Sequence, residues 1–237
     1  MGHTRMTTQG SAKRNGNNHP FTGTAGGTAF ALAHNGVLYN DKSLRKQRDL
    51  PGTDIETDSY VAVQLIEKEG ALSPDSLKHM AELVEGSFVF TVLEQRNTLH
   101  FVKGDNPLCI LHFLRWKLYV YASTEEILKR ALGRTRLAAE RSVRAPVEEG
   151  EIVSITERGT LCRDRFEPRD RWSSPWARGW HVPSSCPPAG KPERWYIQQL
   201  KGVAASFGYA PEQIDALLRE GWSTDEIEDT LYCWEEF

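Results

Sequence analysis

Three short polar motifs contain the residues whose side chains could do chemistry. In the first, residues 3–10 (HTRMTTQG), Arg5 stands among hydroxyl residues and is followed by a glycine turn. A guanidinium group is a planar fork that matches the two oxygens of a carboxylate. Arg5 and Thr8 are therefore candidates for holding a carboxylate, although an ordinary arginine on an edge strand would give the same local pattern.

The second motif, His34-Asn35-Gly36, directly follows an apolar segment, residues 28–33. The side-chain amide of Asn35 and the backbone N–H of Gly36 could direct two donors at one developing oxyanion. Asn-Gly pairs are also common in plain turns. The motif alone therefore leaves both interpretations open.

The third motif is Glu56-Thr57-Asp58, at the start of a predicted helix. A carboxylate at the edge of a pocket could hold an ammonium group. Thr57 and Asp58 would equally suit a helix N-terminus, where they cap free N–H groups and favour the helix dipole without any ligand. This motif too has two interpretations.

Antiparallel strands are predicted to position these motifs, because apolar alternating segments are separated by short polar turns. A Gly26-Gly27 pair suits a tight turn between the first two strands. In residues 87–94 both alternating sets are apolar, which predicts a sheet covered on both faces. The predicted strands span residues 21–24, 28–33, 87–94, 98–103, 108–114, 117–122, 151–156 and 159–163.

Three helices are predicted in the same region, over residues 58–69, from 74 onward, and over 124–132. Gly70 closes the first helix, while Ser73 caps the second and Pro74 takes its first helical position. The second helix also carries an apolar stripe with helical spacing, which predicts packing against a sheet. That stripe consists of Leu77, Met80, Ala81 and Val84.

The C-terminal part of the chain differs in composition. Residues 167–192 are rich in Arg, Trp and Pro without a sustained period, which predicts a linker. Residues 193–237 are predicted to form a tail of three helical segments, which begin at Glu193, Pro211 and Ser223. Ser223 and Glu226 would form a capping box, and a small core is expected from Ile214, Leu217, Leu218, Ile227 and Leu231.

Charge and composition exclude several classes of function. A net charge of −3 with mixed signs provides no basic face for nucleic acid. The longest apolar runs are far shorter than the roughly 20 residues of a membrane span, and without a signal sequence a cytoplasmic protein is predicted. Cys109, Cys162, Cys186 and Cys233 are far apart, so free thiols rather than a metal site are expected.

In their order and spacing, the three motifs resemble those of the class II glutamine amidotransferases, members of the N-terminal nucleophile hydrolase superfamily. Further segments carry the same resemblance, and together they cover about residues 2–165. These segments are NHPF (18–21), AHNGVLYN (33–40), DIETDSY (54–60), VEGSFVFTVLE (84–94), GDNPLCI (104–110) and YASTEEI (121–127).

The resemblance implies an α+β fold, a four-layer αββα sandwich that here lacks part of its first strands and carries a small C-terminal helical appendage. Residues 1–166 would form the amidotransferase domain. Arg5 would bind the α-carboxylate of L-glutamine, Thr8 would line the same end of the pocket, and Asp58 would bind the α-ammonium group. Asn35 and Gly36 would form the oxyanion hole. Glutamine hydrolysis by this family requires no metal or organic cofactor.

The sequence also departs from the family pattern. Met6 and Gln9 replace an aromatic residue and a histidine found in some members. Family members use an N-terminal cysteine, whose thiol attacks the amide and whose α-amino group acts as base. This chain begins Met1-Gly2, and an internal cysteine has no α-amino group, so the chain as given is expected to be inactive.

Two hypotheses follow from this departure. The sequence is either a truncated form of an active glutaminase or a noncatalytic module that binds glutamine or a partner. Retention of all the binding residues favours truncation. A hydrolase of another N-terminal nucleophile subfamily is disfavoured, because Arg5 and Asp58 together suit a free amino acid. Any ammonia acceptor would be a separate synthase, for which the tail and the tryptophan-containing linker are the candidate docking site. Simple packing of the tail against the sandwich is the equally weighted alternative.

Overall fold

The computed structural model describes residues 1–3, 10–11, 13–168, 197, 201, 204, 209–222 and 227. The chain divides into two compact units, the first comprising residues 1–5 and 10–177 and the second residues 6–9 and 178–237. The described strands all belong to the first unit. They are β1 (Phe21–Ala25), β2 (Thr28–Leu38), β3 (Gly86–Glu94), β4 (Leu99–Lys103), β5 (Cys109–Phe113), β6 (Leu118–Ala122), β7 (Val143–Arg144), β8 (Glu151–Ile155) and β9 (Leu161–Arg165).

These strands form two antiparallel sheets. The larger sheet has the order β1-β2-β3-β4-β8-β9, and the smaller has the order β6-β5-β7. The predicted hairpins are confirmed: β1 pairs with β2 around Gly26 and Gly27, β3 with β4, β5 with β6, and β8 with β9. Both turn glycines have positive φ (56° and 79°), as the hairpin prediction required.

The described helices are α1 (Asp41–Gln47), α2 (Tyr60–Glu69), α3 (Pro74–Leu83), α4 (Glu125–Leu132) and α5 (Pro211–Arg219). Three predicted helix ends are confirmed. Gly70 ends α2 in the left-handed conformation, and the Ser73 side chain accepts from Ser76 N in a capping box with Pro74 in the first turn. Likewise, the Thr124 side chain caps α4 by accepting from Ile127 N.

One face of the larger sheet is covered by α2 and α3. The predicted stripe of α3 lies in this core, because Leu77, Met80, Ala81 and Val84 are at most 2% exposed. From the sheet, Leu32, Phe90 and Val102 contribute to the same cluster. The burial of these side chains is the main stabilising term for the helix layer.

A second core lies between the two sheets. Phe101 and Val153 of the larger sheet meet Ile110 of the smaller one there. Side chains alternate along a strand, and Cys109 and Phe113, on the other face of β5 from Ile110, are also buried. Helix α4 packs against β5 and β6. The layers are therefore helix, sheet, sheet, helix, and the predicted α+β sandwich is confirmed.

Three local predictions differ from the structure. Helix α1 was not predicted, because its sequence DKSLRKQ has a single large apolar residue, Leu44, which is buried. Helix α2 begins at Tyr60 rather than Asp58. Strand β2 extends five residues beyond the predicted end at Ala33, because pairing with β3 outweighs the turn preference of Asn35 and Gly36.

In the second unit, α5 (Pro211–Arg219) confirms the helical segment that was predicted to begin at Pro211. Its Ile214 is buried in a cluster with Ala204 and Ile227, against which Leu217 and Leu218 pack, as predicted. The linker beyond residue 168, the Ser223–Glu226 capping box and Leu231 lie outside the described residues. In the described part of the chain, no helix is long and apolar enough to cross a membrane.

Candidate active site at the end of β2

The His34-Asn35-Gly36 motif lies inside β2 and does not follow it, which corrects the sequence-based placement. Asn35 is paired with Val89 and Gly36 with Phe88 of β3. Strand alternation buries His34 and exposes Asn35. The amide of Asn35 therefore faces solvent at the end of the strand.

The backbone N–H and C=O groups of Gly36 point away from β3. Its partner Phe88 uses its own backbone groups on the opposite side: Phe88 O accepts from Gly104 N at 2.9 Å, and Phe88 N donates to Asp105 Oδ1 at 3.1 Å. Antiparallel pairs alternate between those that exchange hydrogen bonds and those that do not, so Gly36 and Phe88 form a pair of the second kind. The Gly36 N–H then points to the β1 side of β2, beyond Leu32, where the pairing with β1 ends, and on that side His3 Nε2 lies 3.0 Å from His34 O.

Only glycine fits at position 36. Its φ of 138° is a conformation that side-chain-bearing residues rarely adopt. A Cβ there would lie 1.9 Å from Ser87 O and 2.7 Å from Asn106 Nδ2. Gly86, across the same strand pair, has a φ of 148°, and a Cβ on it would lie 2.1 Å from Val37 O. Two glycines thus let the backbones of β2 and β3 approach closely at this end.

Asp58 is tied to the same end of β2. Its Oδ2 accepts from Leu38 N at 2.6 Å, while Ser59 Oγ lies 3.4 Å from Oδ1. The side chain does not cap a helix, so the capping interpretation of Asp58 was wrong. Asp58 is only 3% exposed, and among the described residues no cation lies within ion-pair distance of it. A buried carboxylate with only neutral partners has unused capacity to accept from a cation.

His34, the first residue of this motif, has a buried and neutral imidazole. Its Nε2 lies 3.4 Å from Ser87 O, and its Nδ1 lies 2.8 Å from Ser59 Oγ. A carbonyl only accepts, so Nε2 carries the proton and Nδ1 accepts from Ser59. Burial lowers the pKa of His34 to about 4, although the nearby Asp58 opposes this shift. The ring also stacks on Phe90, with centroids 4.7 Å apart.

Glu56 anchors the segment that follows the first motif. Its carboxylate accepts from Ser11 N at 3.0 Å, Asn17 Nδ2 at 2.9 Å and Arg14 Nη1 at 2.6 Å. In return, Glu56 N donates to Asn17 Oδ1 at 2.9 Å. The hydrogen bonds from Ser11 and Asn17 lower the pKa of Glu56 below its ordinary value. Ser11, Arg14 and Asn17 are therefore tied to the connection between α1 and α2, which contains Asp58.

The structure thus brings Asn35, Gly36 and Asp58 to one end of β2. Gly36 and Leu38, which binds Asp58, are two residues apart, or about 7 Å along the strand. Arg5 and Thr8 lie outside the described residues. Sequence reasoning missed Asn17 and Asn106 and gave His34 no role of its own. The buried Asn17 in NGNNHP has no pattern that sets it apart, and the GDN turn before β5 stands out only through the family resemblance.

The described residues contain no group of three or more His, Cys, Asp or Glu side chains that could hold a metal ion. Of the two cysteines described, Cys109 is buried in β5 and Cys162 is exposed on β9. Burial raises the pKa of the Cys109 thiol. Neither cysteine belongs to β2 or β3, the two strands that shape this site.

Comparison with known proteins agrees with this architecture. Residues 3–130, more than half of the chain, match the family model described as a glutamine amidotransferase domain. Glutamine–fructose-6-phosphate aminotransferase (isomerizing) from Lactococcus lactis is 34% identical in an alignment of 117 residues, which covers 46% of this chain and 19% of that protein. The corresponding enzyme from Streptococcus pyogenes is 36% identical over 118 residues, with the same coverage of each chain.

Solved structures support the fold. Glutamine phosphoribosylpyrophosphate amidotransferase from B. subtilis, complexed with ADP and GMP, aligns with a TM-score of 0.54 at 24% identity, over 66% of this chain and 33% of that one. A structure described as the allosteric regulatory enzyme of purine biosynthesis aligns with a TM-score of 0.51 at 25% identity, over 64% and 31% of the two chains. The chain spans about a fifth of the length of the curated relatives. By its family match and its layered sheets, the chain belongs to the glutamine amidotransferase domain family, of the class II type with the N-terminal nucleophile hydrolase fold.

Proposed function

We propose that residues 1–166 bind L-glutamine and serve the hydrolysis of its side-chain amide to glutamate and ammonia. One observation carries the proposal. The buried carboxylate of Asp58 and the backbone N–H of Gly36, which points away from β3, lie at the same end of β2. Asp58 would receive the α-ammonium group, since the donor that binds it, Leu38 N, is neutral. The Gly36 N–H and the Asn35 amide would receive the oxygen of the side-chain amide.

The proposed roles follow the chemistry of an amino acid that carries a terminal amide. Its ammonium group needs a buried anion, and its amide carbonyl needs donors that strengthen as negative charge develops on the oxygen. Arg5 would hold the α-carboxylate by a bidentate contact, and Thr8 would line that end. Ser11 and Asn17, which Glu56 holds in place, closely follow Arg5 and Thr8 in the sequence.

Isothermal titration calorimetry tests the binding step. The chain should bind L-glutamine and should bind glutaramate, the analogue without the α-ammonium group, about tenfold or more weakly. D-glutamine, which presents its ammonium group with the wrong hand, should also bind more weakly. Equal affinity for L-glutamine and glutaramate would remove the role proposed for Asp58, and failure to bind L-glutamine would remove the function.

Hydrolysis needs a separate measurement, because binding without chemistry is the alternative function. The native protein should be isolated from its own cells, and its intact mass, N-terminal sequence and rate of ammonia release from L-glutamine should be determined. A mature chain that begins with cysteine and releases ammonia would establish the glutaminase. A chain that binds glutamine and releases no ammonia would establish a binding module.

The ammonia acceptor and the domain limits are part of the same proposal. We assign residues 1–166 to the amidotransferase domain, 167–192 to a linker and 193–237 to a helical tail. A separate synthase would use the ammonia, and the helical tail would bind that synthase. Co-purification of an ammonia-dependent synthase with the full chain, and its loss on removal of residues 193–237, would test that assignment.

A further inference from the structure

One peptide group connects Asn35 and Gly36, and its two polar ends face in opposite directions. The carbonyl of Asn35 and the N–H of Gly36 belong to this planar unit. Asn106 Nδ2 donates to Asn35 O at 2.8 Å. In a trans peptide, the N–H then points away from Asn106 and away from β3, as the strand pairing also requires.

Asn106 itself is carried by a turn that is held firmly against β3. Gly104 N donates to Phe88 O at 2.9 Å, and Asp105 Oδ1 accepts from Phe88 N at 3.1 Å. From the preceding strand, the buried Lys103 donates from Nζ to Gly104 O at 2.8 Å. Both backbone groups of Phe88, the residue opposite Gly36, are thus bound by the turn that carries Asn106.

The absence of a side chain at Gly36 lets Asn106 come close. A Cβ at position 36 would lie 2.7 Å from Asn106 Nδ2. The half-buried amide of Asn106 therefore lies beside the Gly36 backbone, where a side chain at position 36 would otherwise stand. The Asn106 amide thus contacts the Asn35–Gly36 backbone.

We propose that Asn106 is a positioning residue for the oxyanion hole. By donating to the Asn35 carbonyl, its amide fixes the plane of the Asn35–Gly36 peptide and polarises it, which makes the Gly36 N–H a better-aimed and stronger donor. This inference rests on the proposed function for the role of Gly36. The hydrogen bond from Asn106 to the peptide does not depend on that function.

Two variants of the full chain test the proposal. Asn106→Asp keeps the side-chain shape but cannot donate when ionised, and Asn106→Ala removes the donor without adding charge. Asn97→Asp is the matched control, because Asn97 is an exposed asparagine in the β3–β4 turn with no described contact to Asn35 or Gly36. The readouts are the amide proton shift of Gly36 in ¹⁵N-labelled protein and the affinity for L-glutamine by calorimetry.

In both Asn106 variants the Gly36 amide proton should move upfield, as expected when its peptide is less polarised. Affinity for L-glutamine should fall about fivefold to tenfold, the loss expected for one well-placed donor. Asn97→Asp should change neither readout. A purely structural role for Asn106 would lower thermal stability while leaving both the Gly36 shift and the affinity of the folded protein unchanged, which would overturn the proposal.

The readouts also separate this proposal from the proposed function. A shift of Gly36 in Asn106→Asp alone would report charge and not the lost donor, and would overturn the proposal. Moved Gly36 resonances with unchanged glutamine affinity in both variants would overturn it as well. If the wild-type chain failed to bind L-glutamine, the proposed function would fall, whereas the Gly36 shift would still report whether Asn106 orients the peptide.

Discussion

The backbone N–H of Leu38 donates to Oδ2 of Asp58 at 2.6 Å, which joins two residues twenty positions apart at the end of β2. The bond leaves the buried carboxylate at a fixed place next to the strand that carries Asn35 and Gly36. Its remaining acceptor capacity is the main reason to expect an ammonium group there. This hydrogen bond thus fixes the carboxylate that is proposed to bind the α-ammonium group relative to the proposed oxyanion donors.

Asp58→Asn should weaken L-glutamine binding about tenfold or more, because the variant loses the charge but keeps an oxygen for Leu38 N. Stability should change by no more than about 1 kcal/mol for the same reason. Calorimetry and chemical denaturation measure the two effects. Asp54→Asn, an exposed carboxylate four residues earlier, is the control. Unchanged glutamine affinity in Asp58→Asn would contradict the assigned role.

Gly36→Ala should destabilise the protein by at least about 2 kcal/mol, because the new Cβ combines an unfavourable φ with a clash on Ser87 O. Gly27→Ala is an informative control. Gly27 also has a positive φ, 79°, but no atom lies within 4 Å of a Cβ there. Urea unfolding of both variants separates the dihedral cost from the clash. Equal destabilisation would mean that close approach of β2 and β3 is unimportant.

Acid should destabilise the protein through His34. Its pKa in the folded state is about 4, below the value of about 6.5 in an unfolded chain. Above pH 6.5 the imidazole is neutral in both states, and as the pH falls toward 4 only the unfolded state takes up the proton. The free energy of unfolding should therefore fall by about 1 kcal/mol per pH unit in this window from His34 alone.

His100 adds to the same loss, because burial also lowers its pKa. Denaturation of the wild type and of His34→Asn at several pH values between 7 and 4 isolates the part due to His34. The pH dependence should be shallower in the variant, whatever its absolute stability. Parallel curves would show that His34 is protonated equally in the folded and unfolded states.

Asn17→Ala should lower the free energy of unfolding by about 2 kcal/mol. It removes a side-chain amide, 1% exposed, that donates to Ser11 O and to the Glu56 carboxylate. It also removes the oxygen that accepts from Glu56 N. Glutamine affinity should fall too, since the segment containing Arg5 continues directly into residues 11–17. Asn15→Ala, an exposed asparagine two residues earlier, should have little effect on either property. Hydrogen exchange at Ser11 N provides the local readout.

Much of the fold could be predicted because its elements follow local rules. The stripe of α3, the Ser73 cap and the glycine turn before β2 depend on residues close in sequence. The end of β2 could not be placed in this way, because Asn35 and Gly36 favour a turn locally and become a strand only through pairing with Val89 and Phe88. Pairing partners more than fifty residues away leave no local pattern.

The candidate site shows the same division. Asn35, Gly36 and Asp58 were identified because their motifs resemble those of a known family. Asn17, Ser59 and Asn106 bind backbone or side chains that are distant in sequence, and nothing in their immediate neighbours marks those contacts. For Asp58, the local sequence indicated a helix cap that the structure does not contain. Its carboxylate instead accepts from Leu38 N, twenty residues earlier.

The two glycines where β2 and β3 meet also provide a criterion for comparing sequences. Gly36 belongs to a motif that is easily recognised, whereas Gly86 lies fifty residues later and stands outside the three polar motifs. Because a Cβ at either position would strike a carbonyl of the opposite strand, both must be retained for the backbone to keep its shape. A homologous sequence that keeps the Asn-Gly pair but carries a larger residue at the position of Gly86 should be suspected of having lost the site.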